Sequence, residues 1–169
     1  GGAVLMNAGV AEGHIGDRIR SVTVLEPDGK IWKFLRDECR FSYKRTLFSE
    51  SSRIILNAEL SLERRKSEEI GEEIRTVLEN RKRLPAGRSM GCVFKNPPGV
   101  SAGALIEQAG LKGAREGGAV VSERHANFII NSGGATAENV RTLIERIRSE
   151  VCRIFHVSLE EEIRYIGDF

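Results

Sequence analysis

Ser21-Val22-Thr23-Val24-Leu25-Glu26-Pro27-Asp28-Gly29-Lys30-Ile31-Trp32-Lys33-Phe34 decides the fold class. From Val22 to Leu25 its residues are β-branched or aliphatic, as a strand prefers. Asp28-Gly29 then turns the chain back on itself, because glycine takes a positive φ without steric cost and aspartate nearly does. Lys30 to Phe34 reads as the returning strand, so the sheet begins as an antiparallel hairpin. Arg53 to Leu62 holds a third strand, with Ile54, Leu56, Ala58, Leu60 and Leu62 alternating against Ile55, Asn57, Glu59 and Ser61.

Beyond these strands the period changes. From about Lys66 to Leu84 the apolar residues Ile70, Ile74, Val77 and Leu78 fall on one helical face, Arg and Lys gather towards the end, and Pro85 closes the helix. Pro85-Ala86-Gly87 and Asn96-Pro97-Pro98-Gly99 bracket a short segment, Met90 to Phe94, and mark the domain boundary. A short helix, Ala102 to Ala109, ends at Gly110. Ala119 to Val121 and Asn127 to Ile130 read as strands, and Asn131 to Gly134 as a loop. Thr136 opens a helix to about Phe155, with Val140, Leu143, Ile144, Ile147, Val151 and Ile154 on one face. Helices on antiparallel strands in two lobes give an α+β fold. The expected domains are 1–84, 85–155 and a C-terminal segment, 156–169.

Composition narrows the function. The chain has 169 residues, 40% hydrophobic and 30% charged, with 26 Lys and Arg against 24 Asp and Glu. That reads as a soluble globular chain without the basic field that nucleic acid or an acidic membrane would attract. The longest uncharged stretch, Gly1 to Ala11, is glycine-rich and too short to span a bilayer, and no basic-then-apolar signal peptide is visible. Cys39, Cys92 and Cys152 are too scattered for a disulfide framework or a zinc ribbon, and Cys39 and Cys152 read as structural. His14, His125 and His156 lack metal-ligand spacing, so no metal is expected. There is no G-x-S-x-G, P-loop or Rossmann fingerprint. The chain opens without Met on Gly1-Gly2-Ala3-Val4-Leu5-Met6-Asn7-Ala8-Gly9, and further residues are expected upstream.

Segments that could carry chemistry are few. The run from Gly1 to Gly9 lets a ligand, or another backbone, approach closely. Phe41-Ser42-Tyr43-Lys44-Arg45-Thr46 places an aromatic ring beside two cations, in a solvated loop or against an anion. Cys92, within Met90-Gly91-Cys92-Val93-Phe94-Lys95-Asn96-Pro97, is either a buried thiol or a proton donor, and no histidine is near in sequence to act as its base. In Leu159-Glu160-Glu161-Glu162-Ile163-Arg164 an extended backbone would put Glu160 and Glu162 on one face.

Together these segments resemble the UDP-N-acetylenolpyruvoylglucosamine reductase (MurB) family along almost the whole chain. The opening run resembles the family's flavin-domain motif. Cys39 to Lys44 resembles C-R-F-G-Y-R, Gly91 to Pro97 resembles G-S-x-F-K-N-P, and Leu159 to Ile163 resembles L-E-P-E-V. Leu105 to Gly113, Gly117 to Ser122 and His125 to Asn131 resemble the substrate domain. The resemblance implies the second half of a two-lobe FAD-binding domain, followed by an α/β substrate-binding domain. The short linker from Pro97 to Ala102 resembles the subclass without the long substrate-domain insertion.

The implied reaction reduces the enolpyruvyl ether of UDP-N-acetylglucosamine to UDP-N-acetylmuramate, a cytoplasmic step towards peptidoglycan. NADPH reduces FAD, and the flavin N5 passes hydride to the vinyl carbon. An enolate beside a carboxylate then needs a cation, a neighbouring acid and a separate proton donor. By resemblance Lys44 stands where the family has its active-site Arg, Cys92 where it usually has the proton-donating Ser, and Glu162 at the active-site Glu. Lys keeps the charge and loses the planar fork, with Arg45 adjacent, and a thiol is a more acidic donor than an alcohol. Gly1, Gly2, Ala3, Asn7, Ala8 and Gly9 are implied to hold FAD, and Tyr43, Asn96, Lys112, His125 and Asn127 the UDP-sugar. The partner lobe that carries the flavin pyrophosphate loop is expected outside this chain, so the isolated chain is expected to be inactive. Two alternatives are another flavoprotein oxidoreductase with the same type of FAD domain and a non-catalytic nucleotide-sugar binding fragment.

Overall fold

The computed structural model describes residues 1–10 and 13–167. They form two compact units, Gly1–Lys66 and Ser67–Phe169. The architecture is α+β, with three antiparallel sheets and helices at the chain's start, middle and end.

In the first unit a single helical turn, α1 (Gly2–Leu5), leads into a small hairpin, β1 (Gly9–Val10) and β2 (Gly13–His14). The larger sheet runs β4-β3-β5, from β3 (Ile19–Leu25), β4 (Ile31–Leu35) and β5 (Ile54–Leu60). The Asp28-Gly29 turn forms as expected. Gly29 has φ +83°, its N–H donates to the Glu26 carbonyl at 3.0 Å, and Leu25 pairs with Ile31. Val22 and Val24 point into a core closed by Val4, Ile19, Cys39 and Phe48. Phe48 meets the ring of Phe34 edge-on, with centroids 5.5 Å apart.

The simple alternation expected along β5 does not hold. The register against β3 shifts between Ile19 and Ser21 and again between Thr23 and Val24. Each irregularity inserts a residue and swaps the faces beyond it. Ile55 and Ala58 therefore pack on the same core although their positions differ in parity, while Ile54, Leu56 and Leu60 lie outside it.

The second unit begins with α2 (Ser67–Lys82), none of whose residues is buried. Its sheet runs β6-β9-β8-β7, all antiparallel, from β6 (Arg88–Cys92), β7 (Arg115–Glu116), β8 (Ala119–Val121) and β9 (Phe128–Asn131). α3 (Ala102–Gln108) and α4 (Ala137–Phe155) cover it. Thr136 caps α4 in a reciprocal box with Asn139, so the helix starts where the sequence indicates. Leu143, Ile144, Ile147 and Val151 of α4 pack against Leu105 and Ile106 of α3 and Val121 and Ile129 of the sheet. Gly118 is needed at the loop beside β8, because a Cβ there would strike the Gly133 carbonyl and the Ala135 nitrogen.

Ile144 is fully buried in this core. Ile144→Ala should destabilise the fold by about 2–5 kcal/mol through lost burial and a cavity, read as a lower midpoint in urea denaturation. Replacing Ile54, which is 59% exposed, should shift the midpoint far less.

Candidate functional site

In the second unit the candidate site is built along β6 and its continuation. Gly91 takes φ +85° and the pairing with β9 is irregular between Ser89 and Cys92, after which Cys92 lies opposite Phe128. Past Cys92 the backbone leaves the regular ladder. Val93 N–H donates to the Asn127 carbonyl at 2.9 Å. Phe94 is then paired by a side chain: its N–H donates to Asn127 Oδ1 at 2.9 Å, and Asn127 Nδ2 donates to its carbonyl at 2.7 Å. Asn127 is 2% exposed, so both polar groups of its amide serve the fold.

The C-terminal segment lies antiparallel on the other side of this continuation. Phe94 bridges Glu161, Lys95 N–H donates to the Glu160 carbonyl at 2.8 Å, and Glu162 N–H donates to the Val93 carbonyl at 2.7 Å. This register sets Glu162 across from Val93, the residue next to Cys92. The neighbouring carboxylates have their own partners. Glu160 accepts from Lys95 Nζ at 2.7 Å. Glu161 accepts from Arg148 Nη1 at 3.0 Å and from the Tyr165 hydroxyl at 2.8 Å. Partial burial, then the bond and charge of Glu161, push the Tyr165 phenol up to about 12, so it stays a donor at neutral pH.

The other sequence-expected residues of this unit lie on the loops that follow. Asn96 Oδ1 accepts from Ala102 N–H at 3.0 Å, at the entry to α3. Lys112 Nζ sits 2.6 Å from Glu107. His125 Nδ1 accepts from Asn127 N–H at 3.2 Å, and its ring leans on Phe128 at 5.0 Å. With Nδ1 as acceptor, the proton of the neutral ring is on Nε2 and can be donated outward. The three-residue set Arg148, Glu161 and Tyr165 was not legible in the sequence. The only hint was the middle place of Glu161 in the acidic run.

The first unit holds the remaining candidates. Ser42 and Arg45 bridge each other, closing a tight turn whose apex is Tyr43 and Lys44, with Lys44 at φ +54°. Arg45 pairs with Glu50 at 3.2 Å and, with Arg40 and Ser42, lines a cavity of about 280 Å³. Asn7, φ +43° and 6% exposed, accepts from Gly16 N–H at 3.0 Å and donates to the Ser42 carbonyl at 2.9 Å. It thus ties the glycine-rich run to the turn carrying Lys44. Gly1 and Gly2 have open space where a Cβ would stand, whereas one at Gly9 would strike the His14 ring. Among the described residues no cluster of His, Cys, Asp and Glu could hold a metal, and no helix is long and apolar enough to cross a membrane.

The arrangement defines a two-unit α+β chain whose second unit presents a thiol and a carboxylate from paired segments. Residues 82–166 match the family described as UDP-N-acetylenolpyruvoylglucosamine reductase, C-terminal domain. The chain belongs to this family. It is 41% identical to a UDP-N-acetylenolpyruvoylglucosamine reductase of Alkaliphilus oremlandii, over 99% of this chain and 56% of the relative. It is 42% identical to that of Latilactobacillus sakei, with the same coverage. The crystal structure of UDP-N-acetylenolpyruvylglucosamine reductase from Thermus caldophilus superposes with a TM-score of 0.87 at 40% identity, covering 97% of this chain and 59% of that one. The chain therefore spans about half the length of the curated relatives it matches.

The cysteines differ from expectation in one respect. Cys152 is exposed on α4 rather than structural, Cys92 is half-buried, and Cys39 is buried with its Sγ donating to the Leu35 carbonyl at 3.3 Å. Burial, with the charge of Glu38 adding to it, pushes the Cys39 thiol up to about 11. A maleimide should label Cys152 first, Cys92 next and Cys39 only on unfolding, read by mass spectrometry, so labelling reports on Cys92 only in a Cys152→Ser background. The unfolded Cys39 thiol ionises near 9.0 and the folded one near 11. The proton-linked stability it provides is complete below pH 9 and lost as pH rises to about 11. Denaturation midpoints should fall over that range more steeply in the wild type than in Cys39→Ala.

Proposed function

We propose that this chain is the C-terminal part of a reductase that converts UDP-N-acetylenolpyruvoylglucosamine to UDP-N-acetylmuramate with FAD and NADPH, in the cytoplasm, on the route to peptidoglycan. The observation that carries this reading lies inside the family-matched region: the C-terminal segment is paired so that Glu162 stands across from Val93, beside Cys92.

When bound, the flavin supplies the hydride that adds to the vinyl carbon of the substrate, having received it from NADPH. The remaining work falls to side chains. Lys44 provides a point charge for the substrate carboxylate and the developing enolate, in place of a two-pronged guanidinium. Glu162 is the acid beside that enolate. Cys92 donates its Sγ proton to the carbon bearing the carboxylate and is left as a thiolate, which a thiol sustains far better than an alcohol. The surrounding motifs are intact, which argues against a decayed enzyme.

For the cofactor, Gly1, Gly2 and Ala3 fit by their size, since small residues let a large group come close to the backbone. Asn7 acts from behind, bracing the Ser42 carbonyl under the Lys44 turn, with Ala8 and Gly9 completing the motif. The other lobe of the flavin site belongs to the partner region outside this chain. For the nucleotide-sugar, Lys112 offers a cation to the diphosphate in competition with Glu107, and His125 offers its Nε2–H. Asn96, at the entry to α3, and Tyr43, on its own turn, are assigned to the substrate by their motifs, and Asn127 acts through the Phe94 backbone.

The test is NADPH consumption by the full-length enzyme with UDP-N-acetylenolpyruvoylglucosamine. Cys92→Ser should keep substantial turnover. Cys92→Ala should lose about 10²–10⁴-fold, the usual worth of a positioned proton donor, while substrate still oxidises reduced flavin to some degree. Full activity in the alanine variant would remove Cys92 from the mechanism. Retained UDP-sugar binding without any turnover would favour a binding module. The 169-residue chain alone should bind FAD weakly, and a stoichiometric flavin spectrum would overturn that expectation.

A further inference from the structure

Glu160, Glu161 and Glu162 are chemically equivalent neighbours, and the proposed chemistry needs only the last of them. A one-residue slip of a paired strand exchanges every side chain between its faces. The two backbone bonds that hold the segment, Lys95 N–H to the Glu160 carbonyl and Glu162 N–H to the Val93 carbonyl, do not choose among registers, since any extended backbone offers the same groups. Side chains must make the choice. Before the run, Leu159 is 3% exposed in the core of the second unit. Within it, Glu161 is held through both oxygens, Oε1 by Arg148 and Oε2 by Tyr165. Arg148 sits on α4 directly after the buried Ile147, so one jaw is fixed to the rigid core. Tyr165 follows Glu162 and reaches back to Glu161, so the other jaw grips the chain from beyond the residue that matters. The Glu161 side chain is 19% exposed and that of Arg148 is 47%. The carboxylate is thus the better shielded partner, where such a pair is worth more than at an open surface.

We propose that Glu161, clamped by Arg148 and Tyr165, is a positioning residue that sets the register in which the C-terminal segment presents Glu162. This rests on the reading of Glu162 as an active-site acid. The clamp touches no reacting atom. It acts by holding Glu162 across from Val93, and a misplacement on the scale of one ångström costs such a site up to about 10²-fold.

The test is a double-mutant cycle in the full-length enzyme. Glu161→Ala should lower kcat by about 10- to 100-fold with little change in the KM for the nucleotide-sugar. Glu161→Gln, which keeps the size and one hydrogen bond, should recover part of the loss. In the Glu162→Gln background the same changes should cost nothing further, because a clamp that acts through Glu162 has nothing left to position. Losses that multiply, or a wild-type kcat in Glu161→Ala alongside an impaired Glu162→Gln, would overturn the proposal and leave the role of Glu162 intact. A wild-type kcat in Glu162→Gln would overturn both. Hydrogen exchange separates the clamp from general unfolding: the Glu162 and Lys95 amides should lose protection while α4 keeps it. If Glu161→Ala fails to fold, Tyr165→Phe removes one hydrogen bond only and should show the same pattern, a lower kcat that vanishes as an effect in Glu162→Gln. No effect of Tyr165→Phe on kcat or on those amides would overturn the clamp.

Discussion

One buried amide carries the architecture of the second unit. β6 leaves its ladder at Cys92, and the backbone of Phe94, itself 1% exposed, needs a donor and an acceptor in a place that water does not reach. Asn127 supplies both. A buried peptide group left unmatched costs about 1–3 kcal/mol, so this amide removes a penalty that the continuation of β6 would otherwise carry. Its extended course then offers its far edge to the C-terminal segment. Glu162, Glu160 and the Phe94–Glu161 bridge all depend on that edge. The polar side chain thus acts as a piece of β-strand, and the strand it completes is the one the proposed chemistry uses.

The first unit repeats the device with another asparagine. Asn7 takes a left-handed backbone, which asparagine tolerates better than most residues. Its side chain accepts from Gly16 and donates to Ser42. The glycine-rich run and the Tyr43–Lys44 turn are far apart in sequence, and this amide makes them one piece. The position of a cation on a tight turn is only as definite as the turn's anchorage. Here the anchorage comes from within the glycine-rich run, so the conformation of that run and the placement of Lys44 are linked through one side chain.

Local signals were legible in the sequence wherever neighbouring residues decide the structure. The Asp28-Gly29 hairpin and the Thr136 cap depend on residues within a few positions, and both appear where expected. The apolar stripe of α4 follows the 3.6-residue period because one continuous core fixes its face. β5 misled for the opposite reason: its faces are set by irregular pairing with β3, and an inserted residue leaves no mark in an alternating pattern. The structural work of Asn127 and Asn7 was not legible, because a motif records which residue stands at a position and not which atom it touches. Cys152 looked structural because its exposure depends on which side of α4 meets the core. The Arg148–Glu161–Tyr165 set joins a helix to a strand-like tail, and no spacing rule relates them.

The acidic run shows how one sequence feature divides its labour. Three adjacent carboxylates at the edge of a sheet would normally repel one another and solvate freely. Here Glu160 answers Lys95, whose side chain is only 13% exposed, and Glu161 answers Arg148 and Tyr165. Each pairing removes part of the repulsion that Glu162 would otherwise feel from its neighbours. Each also pins the backbone on one side of it. A lone glutamate in an extended segment would have a poorly defined place. Flanked by two that are tied to Lys95 and α4, Glu162 has a defined place, and the two cations offset part of the charge of the three carboxylates.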